Sequence, residues 1–118
     1  MVSEVREMLD KLLKGAEDLR EVDSGRMDAF NAFVEAAEKT GALDLKTKEL
    51  IILAISLYSR CDNCIVHHTQ AAFKAGASRQ EVIESAFLAC FMGGGPTVAS
   101  SATVLLDAIN TFAPDYGK

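Results

Sequence analysis

Apolar residues recur at intervals of three and four positions along most of the chain, which is the spacing of one face of an α-helix. The first run predicts an amphipathic helix over residues 2–22. The second predicts a helix from about Met27 to Lys39-Thr40-Gly41, where a cation and a glycine stand in the usual order for a helix end. No stretch shows the strict alternation of a half-buried strand. The sequence therefore predicts an all-α fold.

The third predicted helix carries an almost unbroken apolar run. Asp44 is its predicted N-cap, and the helix continues through Glu49 to about Ser59. Apolar residues 50–55 and Leu57 cover every side of this helix. Such a β-branched run is also typical of a strand, but its length and the charged residues before it favour a helix. We expect this helix to be buried on all sides.

Capping and turn residues mark three further helices. Ser78 and Glu81 form a capping box, in which each side chain satisfies a free backbone donor of the first turn. The Gly-Gly-Gly-Pro sequence at residues 93–96 predicts a tight turn between helices. The predicted helices run from Cys61 or the next residue to Lys74 with Gly76 beyond it, from Ser78 to Met92, and from Pro96 to Phe112. Together these patterns predict a bundle of about six helices.

Length and charge limit the organisation and the partners of the protein. A chain of 118 residues supports one domain, which we assign to residues 1–118. So short a chain buries a modest fraction of its surface, and a site that excludes water is easier to build between subunits. We therefore expect an oligomer. The net charge of −5 and the lack of a Lys/Arg-rich run argue against nucleic acid or an anionic membrane as a partner.

The cysteines and the apolar stretches predict the cellular compartment. The first ten residues lack the apolar core of an export signal, and the longest apolar stretch, Leu50 to Tyr58, is too short to span a bilayer. With three cysteines, an odd number, these features predict a reducing cytoplasm. There a C-x-x-C pair is more typical of catalysis, redox activity or metal binding than of a structural disulfide.

Two cysteines and one histidine share a stripe of the fourth predicted helix. With Cys61 at zero, Cys64 falls at about −60°, His68 at about −20° and His67 at about −120°, because each helical residue advances about 100°. His68 is therefore the histidine that we expect to face the thiols. The positive end of a helix favours thiolate, and a facing imidazole can accept the thiol proton. The pattern predicts a reactive cysteine pair.

Zinc binding is the main structural alternative for this pair. Cys61 and Cys64 could bind zinc together with His68 or His67. No second C-x-x-C and no distant histidine is present to complete a closed tetrahedral site. We therefore predict neither a metal nor a cofactor.

Glu49 and Cys90 are the remaining candidates. The carboxylate of Glu49 could pair with His68, or it could be a first-turn glutamate that complements the helix dipole, and the spacing slightly favours the second interpretation. Cys90 lies among apolar residues that include Phe87 and Phe91, so we expect an inert core thiol.

Taken together, Glu49, the Cys61-Asp62-Asn63-Cys64 motif and His68 resemble the alkylhydroperoxidase D-like branch of the carboxymuconolactone decarboxylase family. The glutamate stands twelve residues before the first cysteine, and the histidine stands four residues after the second. The resemblance covers about residues 27–112 and also includes Lys48-Glu49-Leu50-Ile51, Ala75-Gly76-Ala77 and Glu81-Val82-Ile83-Glu84. It implies a fold of about six helices and assembly into homotrimers or homohexamers.

The resemblance also implies a chemistry for these residues. Cys64 would be the peroxidatic nucleophile, Cys61 would resolve its sulfenic acid as a disulfide, and His68 with Glu49 would form a proton relay. The substrate would be a hydroperoxide or a disulfide, and the reductant a thiol protein or a small thiol. Asn63 departs from the best-known hydroperoxidases, which carry a histidine at this position, so we expect weaker peroxidase activity.

Three other functions stay open from the sequence. The namesake reaction of the family is lactone decarboxylation, but that branch does without the cysteine pair, which counts against it here. A zinc-binding module would use the cysteines as metal ligands. A redox sensor would regulate a partner when the pair is oxidised.

Overall fold

The computed structural model describes residues 2–118, with side chains from Glu4 onward, so Met1 of the predicted domain lies outside the described residues. Throughout this part of the chain the regular structure is helical and contains no strand, which confirms the all-α prediction. The helices are α1 (Val2–Val22), α2 (Ser24–Glu38), α3 (Leu45–Tyr58), α4 (Asp62–Lys74), α5 (Arg79–Gly93) and α6, which runs through Gly95–Ser100, a π-helical turn at Ser101–Leu105 and Leu106–Phe112. A short 3-10 turn at Ala113–Tyr116 follows.

Local capping interactions start and end the helices where the sequence predicts. The side chain of Asp44 accepts the N–H of Thr47 at the start of α3. Ser78 and Glu81 form the predicted reciprocal capping box of α5. Beyond α4, Gly76 has a φ of +101°, a left-handed conformation that glycine adopts without a steric penalty. These boundaries follow from side chains that satisfy the free backbone groups of the helix ends.

Helix α4 lies at the centre of the bundle and packs against α1, α3 and α6. Its buried side chains are Ile65, Val66, Thr69, Ala72 and Phe73, which recur at helical spacing along one side. Leu53 and Leu57 of α3 and Phe112 of α6 are fully buried in the same core. This packing fixes α3 beside α4, and these two helices carry the candidate site.

Helix α2 lies outside this core. None of its residues is buried, and it packs chiefly along α1. It ends at Glu38, and Lys39, with an extended ψ of 128°, is its C-cap. The helix therefore ends near Lys39-Thr40-Gly41, as the sequence predicts. The ammonium of Lys48 donates to the carbonyl of Lys39 at 2.6 Å and to that of Ala37 at 2.8 Å. This contact fixes the end of α2 to α3.

The expectation that α3 is buried on all sides is wrong for the single chain. One side packs on α4 and α5, whereas Ile55 on the other side is 60% exposed. Helix α5 continues this surface, and its Phe91 is 86% exposed. We define the α3–α5 apolar face by the exposed residues Ile51, Ile55, Tyr58, Phe87, Leu88, Phe91 and Met92.

No helix in the part of the chain that the structure describes has both the length and the apolar character needed to cross a membrane.

Candidate active site

Cys61 precedes the first turn of α4 and acts as its N-cap. Its sulfur accepts the backbone N–H of Cys64 at 3.3 Å. The backbone of Cys61 is extended, with a φ of −92° and a ψ of 97°, so the residue is not part of the helix. Of the three residues of the predicted stripe, Cys64 and His68 therefore lie in α4, whereas Cys61 lies just before it as the N-cap.

Cys61 and Cys64 are joined in a disulfide, with 5.2 Å between their Cα atoms. This separation lies within the ordinary range for disulfides. Both cysteines are half-buried. The sulfurs lie at the positive end of the α4 dipole, where free backbone N–H groups stabilise negative charge on sulfur. The site can therefore hold a disulfide and can also stabilise a thiolate once the bond is reduced.

Glu49 and His68 meet across the α3–α4 contact. Oε2 of Glu49 lies 2.8 Å from Nδ1 of His68. Glu49 is 3% exposed, and its carboxylate accepts this hydrogen bond in the tautomer that carries a proton on Nδ1 of His68. Glu49 lies beyond the first turn of α3, which contains no acidic residue, so the dipole interpretation is wrong. A carboxylate buried this deeply needs a hydrogen-bonding partner, and His68 provides it.

His67 lies beside this pair. Its ring centroid is 4.6 Å from that of His68, and its side chain is half-buried. Burial lowers the pKa of His67, and positive charge on His68 lowers that pKa further. His67 is therefore neutral near neutral pH, and of the two histidines it is His68 that hydrogen-bonds to Glu49.

The third cysteine is separate from the pair. Cys90 lies on α5 with its Sγ 3.8 Å from Oγ of Ser101 in α6. The expectation of a core thiol among phenylalanines is wrong, because Cys90 is only half-buried and both Phe87 and Phe91 are exposed. Among the described side chains, no group of three or more histidines, cysteines and acidic residues is arranged to hold a metal ion.

A cleft between α1 and α2, which the sequence did not predict, adjoins the cysteine motif. The cleft has a volume of about 630 Å³. It is lined by Met8, Lys11, Leu12, Gly15, Ala16, Leu19, Met27 and Asn63. The spacing of apolar residues in α1 predicts that this side of the helix is apolar. It does not predict whether other helices cover that side, because this depends on the tertiary structure. Asn63, which stands between the two cysteines in the sequence, is the residue of α4 that lines the cleft.

Comparison with other sequences identifies the family. Residues 26–107 match the model of the carboxymuconolactone decarboxylase family. An uncharacterized protein of Cupriavidus necator is 31% identical over 112 residues, which cover 93% of this chain and 99% of that protein. Uncharacterized protein 4 in the cox locus of Paracoccus denitrificans is 34% identical over 85 residues, which cover 70% of this chain and 77% of that protein.

Two solved structures share the fold. An apo structure of a carboxymuconolactone decarboxylase family protein from Legionella pneumophila has a TM-score of 0.85 and 32% identity, with 98% of both chains covered. A family member from Thermotoga maritima, for which involvement in an antioxidative response has been suggested, has a TM-score of 0.71 and 28% identity, with 90% of this chain and 96% of that chain covered. The family match extends over most of the chain and agrees with the resemblance of its motifs. The chain belongs to the carboxymuconolactone decarboxylase family.

Proposed function

We propose that the protein is a thiol-dependent oxidoreductase that reduces a hydroperoxide or a disulfide through a dithiol–disulfide cycle of Cys61 and Cys64. The observation that carries this proposal is the disulfide at the N-terminus of α4, together with the buried Glu49–His68 pair. His68 follows Cys64 by about one helical turn. The cysteine pair also favours redox chemistry over the decarboxylation for which the family is named.

In the peroxide reaction, two thiols supply the two electrons. The Cys64 thiolate attacks one peroxide oxygen, the O–O bond breaks, and the other oxygen leaves with a proton as the alcohol. Cys64 is then a sulfenic acid. The sulfur of Cys61 attacks the Cys64 sulfur, and the hydroxyl leaves with a proton as water, which completes the disulfide. An external dithiol reduces this disulfide and is itself oxidised to a disulfide.

His68 and Glu49 have different roles in the proton transfers of this cycle. His68 accepts the proton of the attacking thiol and returns it to the departing oxygen. Glu49 holds Nδ1 of His68 at 2.8 Å, which fixes the orientation of the ring and stabilises the imidazolium. The donors at the start of α4 stabilise the thiolate. Because the cycle needs a thiol reductant, we place it in a reducing compartment such as the cytoplasm.

We further propose that the protein assembles through the α3–α5 apolar face into a homotrimer or homohexamer. Contiguous exposed apolar surface is typical of protein interfaces, and this face includes Phe91, which is 86% exposed. Light scattering after size exclusion should give the mass of three or six chains. Ile55→Lys should lower that mass, because a charge would enter an apolar contact. A wild-type protein with the mass of one chain would contradict the proposal.

Steady-state turnover tests the redox function. Reduced protein should consume cumene hydroperoxide in the presence of dithiothreitol, at a low rate if Asn63 weakens the reaction as predicted. Cys61→Ser and Cys64→Ser should each abolish disulfide formation within the subunit, and Cys64→Ser should abolish turnover. Cys90→Ser is the matched control and should retain both. Loss of the oxidised state in Cys90→Ser, or its persistence in Cys61→Ser, would contradict the assignment of the pair.

A further inference from the structure

The cleft between α1 and α2 has the character of a small-molecule site. Its volume of about 630 Å³ lies within the range of ligand pockets, which span roughly 300–1,000 Å³. Met8, Leu12 and Leu19 of α1 and Met27 of α2 give it apolar walls. Methionine side chains are flexible and polarisable, so they adapt to aliphatic chains of varied shape.

One residue of the cysteine motif lines the cleft. Asn63 lines the cleft and stands between the two cysteines of the disulfide. Helix α1, which supplies most of the walls, lies outside residues 26–107 that match the family model. Most residues that line the cleft therefore lie outside the family match, whereas Met27 and Asn63 lie within it.

We propose that the α1–α2 cleft binds the aliphatic chain of the hydroperoxide substrate and directs its peroxide group past Asn63 to the cysteine pair. This inference rests on the proposed redox function. Among the described residues that line the cleft, Lys11 carries the single charge. A neutral or carboxylate-bearing chain therefore fits this environment, whereas a cationic amphiphile does not.

The apolar walls predict a dependence on chain length. Burial of each methylene should tighten binding by about fourfold, which follows from the transfer free energy of a CH₂ group. The chain is remote from the reacting oxygen and contacts the same walls throughout the reaction, so this effect should lower KM more than it raises kcat. Hydrogen peroxide, which has no chain, should therefore be a poorer substrate than a long-chain hydroperoxide.

Calorimetric titration of the disulfide form tests binding without turnover. The probes are decanoate, hexanoate and decyltrimethylammonium. Decanoate should bind more tightly than either of the other two. Ala16→Phe places a bulky ring in the cleft and should weaken decanoate binding at least tenfold. Leu13→Phe is the matched control, because Leu13 is an exposed residue of α1 that does not line the cleft, and it should bind decanoate like the wild type.

Turnover then separates this inference from the proposed function. Ala16→Phe should lower the ratio of kcat/KM for linoleic acid hydroperoxide to that for hydrogen peroxide, and Leu13→Phe should not. If both peroxides are turned over with no preference for chain length, the proposed role of the cleft is wrong and the redox function stands. The same conclusion follows if Ala16→Phe leaves the ratio of the two kcat/KM values unchanged. No turnover of any peroxide would overturn the redox function and the substrate role together. A change of oligomeric mass in Ala16→Phe, without decanoate binding to the wild type, would show that a second copy of the chain fills the cleft.

Discussion

Glu49→Gln removes the charge of the buried carboxylate and keeps its size. Hydrogen bonds to charged groups contribute about 1.5–3 kcal/mol. The His68 side chain is 19% exposed and that of Glu49 is 4% exposed, so partial solvent screening favours about 2 kcal/mol from this range. If this free energy is lost when His68 takes the thiol proton, the reaction should slow by about 30-fold. Stopped-flow mixing of reduced protein with cumene hydroperoxide at pH 7 measures the rate of thiol loss.

The pH profile separates a proton-handling role from a structural one. At high pH the thiolate forms without help from His68. The difference in the rate of thiol loss between Glu49→Gln and the wild type should therefore shrink as the pH rises. Glu84→Gln, at an exposed position of α5, is the matched control and should react like the wild type. His68→Gln and the double variant should be about equally slow, because residues that act as a unit have non-additive effects. A Glu49→Gln rate within twofold of wild type at pH 7 would refute this account.

Three further predictions concern stability. Ser78→Ala removes the N-cap of α5 and should cost about 1 kcal/mol, or roughly 4 °C in Tm, by calorimetry; an unchanged Tm would contradict the cap. The pKa of His67 is lower in the folded protein than in the unfolded chain, so the unfolded chain binds more protons than the folded protein as the pH falls below 6.5. The free energy of unfolding should therefore decline with acidification. Urea midpoints at pH 7.5 and 5.5 should show a smaller decline in His67→Gln, and an equal decline would be contrary evidence. Gly93→Ala should destabilise more than Ser78→Ala, because its Cβ would lie 1.9 Å from Oγ1 of Thr97; a Tm equal to wild type would contradict this close contact.

The helix boundaries were predictable because their causes are local. Asp44 caps α3, the Ser78–Glu81 box starts α5, and Gly76 follows α4 in a left-handed conformation. Each of these signals involves residues within one turn of the helix end. The π-helical turn at Ser101–Leu105 has no comparable local signal and was not predicted.

Burial was harder to predict, because it depends on what packs against a helix. The apolar run of α3 predicted burial on all sides, yet Ile55 is 60% exposed in the single chain. For the same reason, the apolar neighbours of Cys90 in the sequence predicted a core thiol, whereas Cys90 is half-buried. An apolar residue has the same sequence signature whether its partner is the same chain or another subunit, so sequence alone does not distinguish the two cases.

The candidate site was predictable in part. The spacing placed Cys64 and His68 on one helix, as observed in α4, whereas Cys61 caps this helix from outside it. The burial of Glu49 depends on the packing of α3 on α4, so spacing alone favoured the wrong dipole interpretation, and the family resemblance indicated the pairing with His68.

Thiol titration combined with intact mass, before and after one equivalent of hydroperoxide, tests the proposed redox cycle most directly. The reduced protein contains three thiols, and the account predicts that two are lost after peroxide while Cys90 remains. The mass should fall by about two hydrogens, and a dithiol should restore both thiols. Retention of all three thiols with unchanged mass would contradict the cycle, and a zinc measurement would then decide whether Cys61 and Cys64 hold a metal.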